Sequence, residues 1–146
     1  MRPSAVVGHS TISPCLLVES IPDELRFLKA VFGAQVKQQR GEHEGAVWQV
    51  EVRLGDAVLK IGRAHQADPP ATGMLYVRTD DVDATYARAI QKGATLISAP
   101  TDQPSGVREA RFRDPQGHIW WIGQQVRKLS NREVERRLAE QRRKRL

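Results

Sequence analysis

Two short stretches of this 146-residue chain alternate ionisable and apolar side chains, and they are where it could do chemistry. Gln49-Val50-Glu51-Val52-Arg53 puts an amide, a carboxylate and a guanidinium on one side of a strand and valines on the other. Val107-Arg108-Glu109-Ala110-Arg111-Phe112-Arg113 places Glu109 and Arg111 on one side, with Val107 and Arg113, and Arg108, Ala110 and Phe112 on the opposite one. Such rows can bind a polar ligand or move protons, with Glu51 and Glu109 as the candidate acid–base groups, although solvated strands carry similar residues. Ile119-Trp120-Trp121-Ile122 divides its two indoles between the two faces of a strand. Nothing resembles a Ser-His-Asp or Cys-His nucleophile set. Cys15, in the apolar run Cys15-Leu16-Leu17-Val18, is expected to be a buried, inert thiol.

The elements that position these rows are punctuated twice in the same way. Gly33-Ala34 and Arg53 recur 60 residues later as Gly93-Ala94 and Arg113, and Ile61-Gly62 recurs as Ile122-Gly123. Each half reads βαβββ. The run at residues 12–20 is a buried strand; Pro22-Asp23 opens a helix with Leu25, Leu28 and Phe32 on one face, closed by Gly33. Val36 to Arg40 is extended, 41–45 is a charged loop, and strands follow over Val47–Leu54 and Val58–Ile61 around Gly55-Asp56. Residues 64–73, with Pro69, Pro70 and Gly73, form a linker. The second half repeats the order: Met74–Val77, a helix capped by Asp80 or Asp81 and running through Val82, Tyr86, Ala89 and Ile90, then Thr95–Ile97, a loop through Pro100 and Pro104, and strands near Val107–Phe112 and Ile119–Ile122. A repeated unit of this size packs on its copy or on another chain, and a site is expected where copies meet.

The net charge of +6 sits entirely in residues 127–146, where nine Lys/Arg face three Glu; the other residues balance. Ser130 with Glu133 forms a capping box and Leu129 with Val134 a staple, so a surface helix starts there and is expected to fray past Gln141. This tail could attract nucleic acid or an acidic partner, but it has no aromatic residue to stack on bases. No apolar run approaches membrane-spanning length, no secretory signal is evident in residues 1–10, and a single cysteine excludes an intrachain disulfide. A cytoplasmic location is expected. His9 lies in a leader read as mobile, His43 in a solvated Glu-His-Glu loop, His65 in the linker, and His118 in a turn that it is expected to stabilise.

Two βαβββ modules, Phe32-Gly33-Ala34, Asp80-Asp81-Val82-Asp83-Ala84 and Asp114-Pro115-Gln116-Gly117-His118 together resemble the vicinal oxygen chelate superfamily. That superfamily includes glyoxalase I, bleomycin-resistance proteins and extradiol dioxygenases, and the likeness, over about residues 12–137, is greatest to its PhnB-like branch. It implies an α+β fold of paired βαβββ modules, about 12–62 and 73–123, whose curled mixed sheets surround a cavity. The domain would span 12–126, with 127–146 as a basic helical extension. Family metal-ligand positions carry over onto Ser13 or Pro14, Gln49, Met74 and Trp121, of which only Gln49 could coordinate, so neither metal nor cofactor is expected. Trp121 would instead offer the cavity a stacking surface, with Gln49, Arg111, Arg53 and Met74 as the other ligand-binding residues. The resemblance therefore implies a homodimeric binding protein that sequesters an antibiotic-like or aromatic small molecule. The alternatives are a lyase or isomerase of the superfamily, metal-independent through Glu51 or Glu109 unless the ligand positions are misaligned, and an interaction protein acting through the basic tail.

Overall fold

The computed structural model describes residues 9–43, 46–67 and 69–146, with the backbone alone for 42, 43 and 46. The leader before His9, the Glu42-His43-Glu44 side chains and Asp68 lie outside the described residues. The chain divides into two compact units: unit 1 is Met1–Gly73 with Asp114–His118, and unit 2 is Met74–Arg113 with Ile119–Leu146.

Unit 1 runs β1 (Cys15–Val18), α1 (Ile21–Phe32), β2 (Gln35–His43), β3 (Ala46–Leu54) and β4 (Ala57–Arg63). Its sheet has the order β1-β4-β3-β2, parallel between β1 and β4 and antiparallel elsewhere. Leu16, Val18, Val50, Val52, Leu59 and Ile61 form the buried face on which α1 lies. Burying side chains of this size stabilises by roughly 1.5–3 kcal/mol each. The cap is Ser20, whose Oγ accepts from Asp23 N–H, with Pro22 in the first turn where its missing N–H costs nothing. Gly33 closes the helix at φ 66°, a left-handed conformation suited to glycine.

Unit 2 repeats the order with β5 (Met74–Arg78), α2 (Val82–Gln91), β6 (Thr95–Asp102), β7 (Val107–Arg113) and β8 (Ile119–Gln125), and its sheet is β5-β8-β7-β6. Ala110, Phe112, Trp120 and Ile122 are fully buried, and α2 packs over β6, β7 and β8. Asp81 caps α2, and Arg108 ties that end to β7 through paired contacts to Asp83 at 2.8 and 2.9 Å. α3 (Asn131–Lys144) follows β8. Neither sheet closes on itself, and among the described residues no helix is long and apolar enough to cross a membrane.

Several sequence expectations need correction. Cys15 is exposed, because β1 alternates and buries only Leu16 and Val18 fully. The buried side of α1 is Ile21, Glu24, Phe27, Leu28 and Val31, rotated from the expected Leu25, Leu28 and Phe32, and it includes a carboxyl group. α2 buries Val82, Thr85 and Ala89, while Ile90 is exposed. The expected loop at 41–45 is strand through His43, and Pro100 lies within β6, an edge strand where a missing N–H and an irregular register are tolerated. α3 does not fray past Gln141 but continues to Lys144, whose Nζ meets Glu140 at 3.1 Å. Arg136 and Arg137 both grip Glu133, holding its carboxyl down at about 2.

Candidate functional site

Strand register sets out the open face of unit 2 in rows. Tyr76 on β5, Trp121 on β8, Arg111 on β7 and Ser98 on β6 lie opposite one another, and Arg78, Gly123, Glu109 and Thr101 form the next row. The Arg111 guanidinium lies 3.7 Å over the Trp121 ring, while Tyr76 meets that ring edge-on at a centroid distance of 5.3 Å. A cation over indole contributes about 0.5–2 kcal/mol and fixes both side chains. Tyr76 then leans over Gly123, and its hydroxyl donates to Glu109 Oε1 at 3.1 Å. A Cβ at position 123 would stand 1.8 Å from that hydroxyl oxygen, so the packing requires glycine. Burial raises the Tyr76 phenol above its usual range, and the Glu109 charge adds to the effect. Met74, at the start of β5, is 60% exposed.

Unit 1 presents matching rows: Cys15, Lys60, Glu51 and Gln38, then Leu17, Gly62, Gln49 and Arg40. His9 Nε2 lies 2.9 Å from Glu51 Oε2, and with Glu51 ionised the imidazole donates. Glu51 is buried, and the His9 hydrogen bond holds its carboxyl below the ordinary range, with Arg40 and Lys60 adding to the effect. These groups border a pocket of about 380 Å³ that also reaches Ser13 and Gln49. Arg53 is on the same face of β3 but outside this pocket.

The residues singled out from sequence therefore fall into two groups, Trp121, Arg111 and Glu109 on unit 2, with Met74 at its margin, and Gln49 and Glu51 on unit 1. Spacing along the chain does not single out Tyr76, Lys60 or Arg40, and His9, expected in a mobile leader, instead bonds Glu51. Their signal is cross-strand register, which pairs Tyr76 with Trp121, Lys60 with Glu51 and Arg40 with Gln49.

The donors at the positions matched to the family's metal ligands do not suit a divalent metal. The matched positions supply a hydroxyl, an amide, a thioether and an indole, whereas such ions take carboxylate, imidazole or thiolate ligands. Among the described residues no three His, Cys, Asp or Glu gather to hold an ion.

A third cluster in unit 1 is structural. His118 is buried; its Nδ1 accepts from Gly73 N–H and its Nε2 donates to Leu17 O, both at 2.9 Å. Asp114 Oδ1 accepts from the backbone N–H of Gln116 and His118, closing the turn, as expected for this motif. The Gln116 amide reaches Ser20 O at 2.7 Å and Glu24 Oε2 at 3.2 Å, docking the turn on the start of α1.

The family model described as the glyoxalase/bleomycin resistance protein/dioxygenase superfamily matches residues 7–122. An uncharacterised protein of Mycobacterium bovis is 29% identical over 148 residues, spanning 94% of this chain and 97% of that one. Among solved structures, TioX of Micromonospora sp. ML1 is similar with a TM-score of 0.65 at 20% identity, over 79% of this chain and 99% of its own. The fosfomycin resistance protein FosX of Mesorhizobium loti is similar with a TM-score of 0.60 at 18% identity, over 88% and 98%. At these identities the structural likeness speaks for the fold alone.

Proposed function

Because the chain belongs to the glyoxalase/bleomycin resistance protein/dioxygenase superfamily, we propose that it binds a small, flat organic anion on the open face of unit 2 and sequesters it without a metal. One observation carries this reading, the Arg111 guanidinium lying over Trp121 with Tyr76 at the ring edge. The indole face is already covered, so a flat ligand stacks on the guanidinium rather than on bare tryptophan. The in-plane N–H groups of Arg111 then meet a carboxylate or sulfonate on the ligand. Met74 supplies apolar contact at the margin, while Gln49 and Arg53, the other expected ligand-binding residues, lie on unit 1. Metal independence rests on the unsuitable donors at Ser13, Gln49, Met74 and Trp121. An antibiotic-like aromatic acid fits this chemistry. The same reading takes 12–126 as one functional domain of a cytoplasmic homodimer in the PhnB-like branch; sedimentation equilibrium tests the dimer.

Tryptophan fluorescence tests the ligand class, with 2-naphthoate as the anionic probe and 2-naphthamide as its neutral counterpart. Saturable quenching by naphthoate, weakened about tenfold by Arg111→Gln and largely lost in Trp121→Phe, is expected. Equal binding of the amide, or indifference to Arg111→Gln, would refute the anion reading. The Tyr76–Glu109 hydrogen bond favours a second reading, metal-independent proton transfer by Glu109. Product formation that survives chelators and is lost in Glu109→Gln would replace sequestration with catalysis. Binding of nucleic acid through α3, lost on deleting residues 127–146, would support the interaction-protein alternative.

A further inference from the structure

Unit 2 holds a cleft between the tip of the β6–β7 hairpin and α3, and it shares no residue with the rows around Trp121. We propose that this cleft is a binding site for a small organic phosphate monoester, whose phosphate group is held by Arg127 and Arg137. At about 490 Å³ it falls in the size range of small-ligand sites.

The chain builds the cleft from three pieces. Gly106 O accepts from Val126 N–H and from Arg127 N–H, both at 3.0 Å, which fastens the hairpin tip to the segment leaving β8. Gly106 has φ 84°, and a Cβ there would stand 2.6 Å from Arg127 O, so the close approach requires glycine. Ser130 then caps α3, and the helical spacing of Arg137, Gln141 and Lys144 brings all three to the same wall.

Charge decides the ligand's sign. Four cations, Arg127, Arg136, Arg137 and Lys144, line the cleft against two carboxylates, Asp102 and Glu140. Asp102 is already engaged at 3.0 Å by Arg108, which lies outside the cleft. Arg136 commits Nε and both terminal nitrogens to Glu133 and Glu140, and Lys144 meets Glu140 at 3.1 Å. Arg137 donates to Glu133 through Nε alone, so its terminal nitrogens have no partner among the described residues. Arg127 makes no ion pair among those residues. Two guanidinium groups with N–H donors to give match the three acceptor oxygens and nearly double charge of a phosphate monoester. Gln103 and Gln141 offer amides to hydroxyl groups on its organic part, and Pro104 and Val126 offer apolar contact. A nucleic-acid backbone carries singly charged phosphates and would meet Arg132, Arg142 and Arg143, exposed on α3 outside the cleft, just as readily.

Neighbouring substitutions therefore act with different signs. Arg127→Gln weakens binding about tenfold. Glu140→Gln removes a competing negative charge from the wall and tightens binding about threefold. Arg142→Gln leaves it unchanged.

The full-length protein, labelled with nitrogen-15, is titrated at fixed ionic strength with glycerol 3-phosphate and, separately, with the singly charged diester dimethyl phosphate and a thymidine oligonucleotide. Reporters are the Gln103 and Gln141 side-chain amides and the Gly106 backbone amide for the cleft, and the Trp121 indole N–H for the sheet. Saturating shifts at the three cleft reporters with glycerol 3-phosphate, Trp121 unmoved, dimethyl phosphate bound about tenfold more weakly and the three variants in the stated order support the proposal. Shifts that never saturate overturn it, as does unchanged binding in an Arg127→Gln variant that melts like the parent. An oligonucleotide that binds more tightly than glycerol 3-phosphate, and loses affinity equally in Arg127→Gln and Arg142→Gln, overturns it in favour of a nucleic-acid surface on α3. Naphthoate quenching reports on Trp121, so this proposal and the sequestration reading fail separately.

Discussion

Replacing Glu24 by glutamine should abolish a pH dependence that the native chain carries in its core. Glu24 is 1% exposed, its Oε1 has no hydrogen-bond partner among the described residues, its Oε2 accepts from Gln116 Nε2, and the Asp114 carboxyl lies beside it. Burial, reinforced by the neighbouring Asp114 carboxyl and opposed by the Gln116 amide, pushes its pKa from 4.5 up to about 9. The folded value lies above the unfolded one, so between those limits the folded chain holds a proton that the unfolded chain has released. The stabilisation from this group is therefore complete below pH 4.5 and is lost progressively as pH rises to about 9. The slope is about 1.4 kcal/mol per pH unit, or roughly 3 kcal/mol between the unfolded pKa and pH 7. Glutamine keeps the shape and stays neutral in both states. Its amide can donate towards Asp114 while its carbonyl accepts from Gln116. Urea unfolding followed by circular dichroism at pH 5, 6, 7 and 8 should show Glu24→Gln gaining stability over the parent by roughly 1 kcal/mol for each step. The difference between the two curves is the diagnostic, since other titrating groups cancel in it. A difference that stays constant from pH 5 to 8 would show that Glu24 is ionised in the folded protein and that the reasoning fails.

Three other substitutions probe the remaining clusters. Gly123→Ala drives a methyl group into the Tyr76 hydroxyl, so near-ultraviolet circular dichroism should lose the signal of the Tyr76–Trp121 pair, at a stability cost of about 1–3 kcal/mol. His118→Ala strips partners from Gly73 N–H and Leu17 O, two backbone groups beside a buried side chain, and chemical denaturation should register a loss of about 2–4 kcal/mol. Ser130→Ala removes the acceptor for Glu133 N–H; amide exchange should show α3 opening more easily by about 1 kcal/mol while the exchange of β7 and β8 is unchanged.

Element order was readable in the sequence because it depends on local signals: alternation, helix caps and the glycines at 33, 55, 93 and 117 that take positive φ. The side of α1 that packs inward was not, because Glu24 looks like a solvent-facing residue until Asp114 and Gln116, 90 and 92 positions away, surround it. Cys15 misled for the opposite reason. Its neighbours are apolar, yet β1 buries alternate residues, and the thiol falls on the face that carries Lys60. The facing of Trp120 and Trp121 could be read from alternation alone. That Arg111 would lie on Trp121 could not, since contact across strands depends on register and rotamer rather than on spacing along the chain.

Register also shows how two sheets of corresponding strand order carry different chemistry. The glycines at 62 and 123 occupy the same place in the two sheets, so Lys60 corresponds to Trp121, Glu51 to Arg111, Gln49 to Glu109 and Cys15 to Tyr76. At each pair the backbone is alike and the side chain differs in charge or size. Around Gly62 a lysine stands opposite a carboxylate that His9 secures, leaving a small pocket with positive charge to spare. Around Gly123 the aromatic pair takes the floor space that glycine leaves, and Arg111 turns onto the indole instead of meeting an acid. An arginine opposite tryptophan gains by stacking, whereas one opposite glutamate would be neutralised. Across the sheet Arg111 has Trp121 and Ser98 as register partners, and neither is a carboxylate. Swapping the pair, Lys60→Trp with Trp121→Lys, should move the proposed naphthoate binding from unit 2 towards unit 1, and absence of saturable quenching in the double variant would break the proposed link between these rows and their ligands.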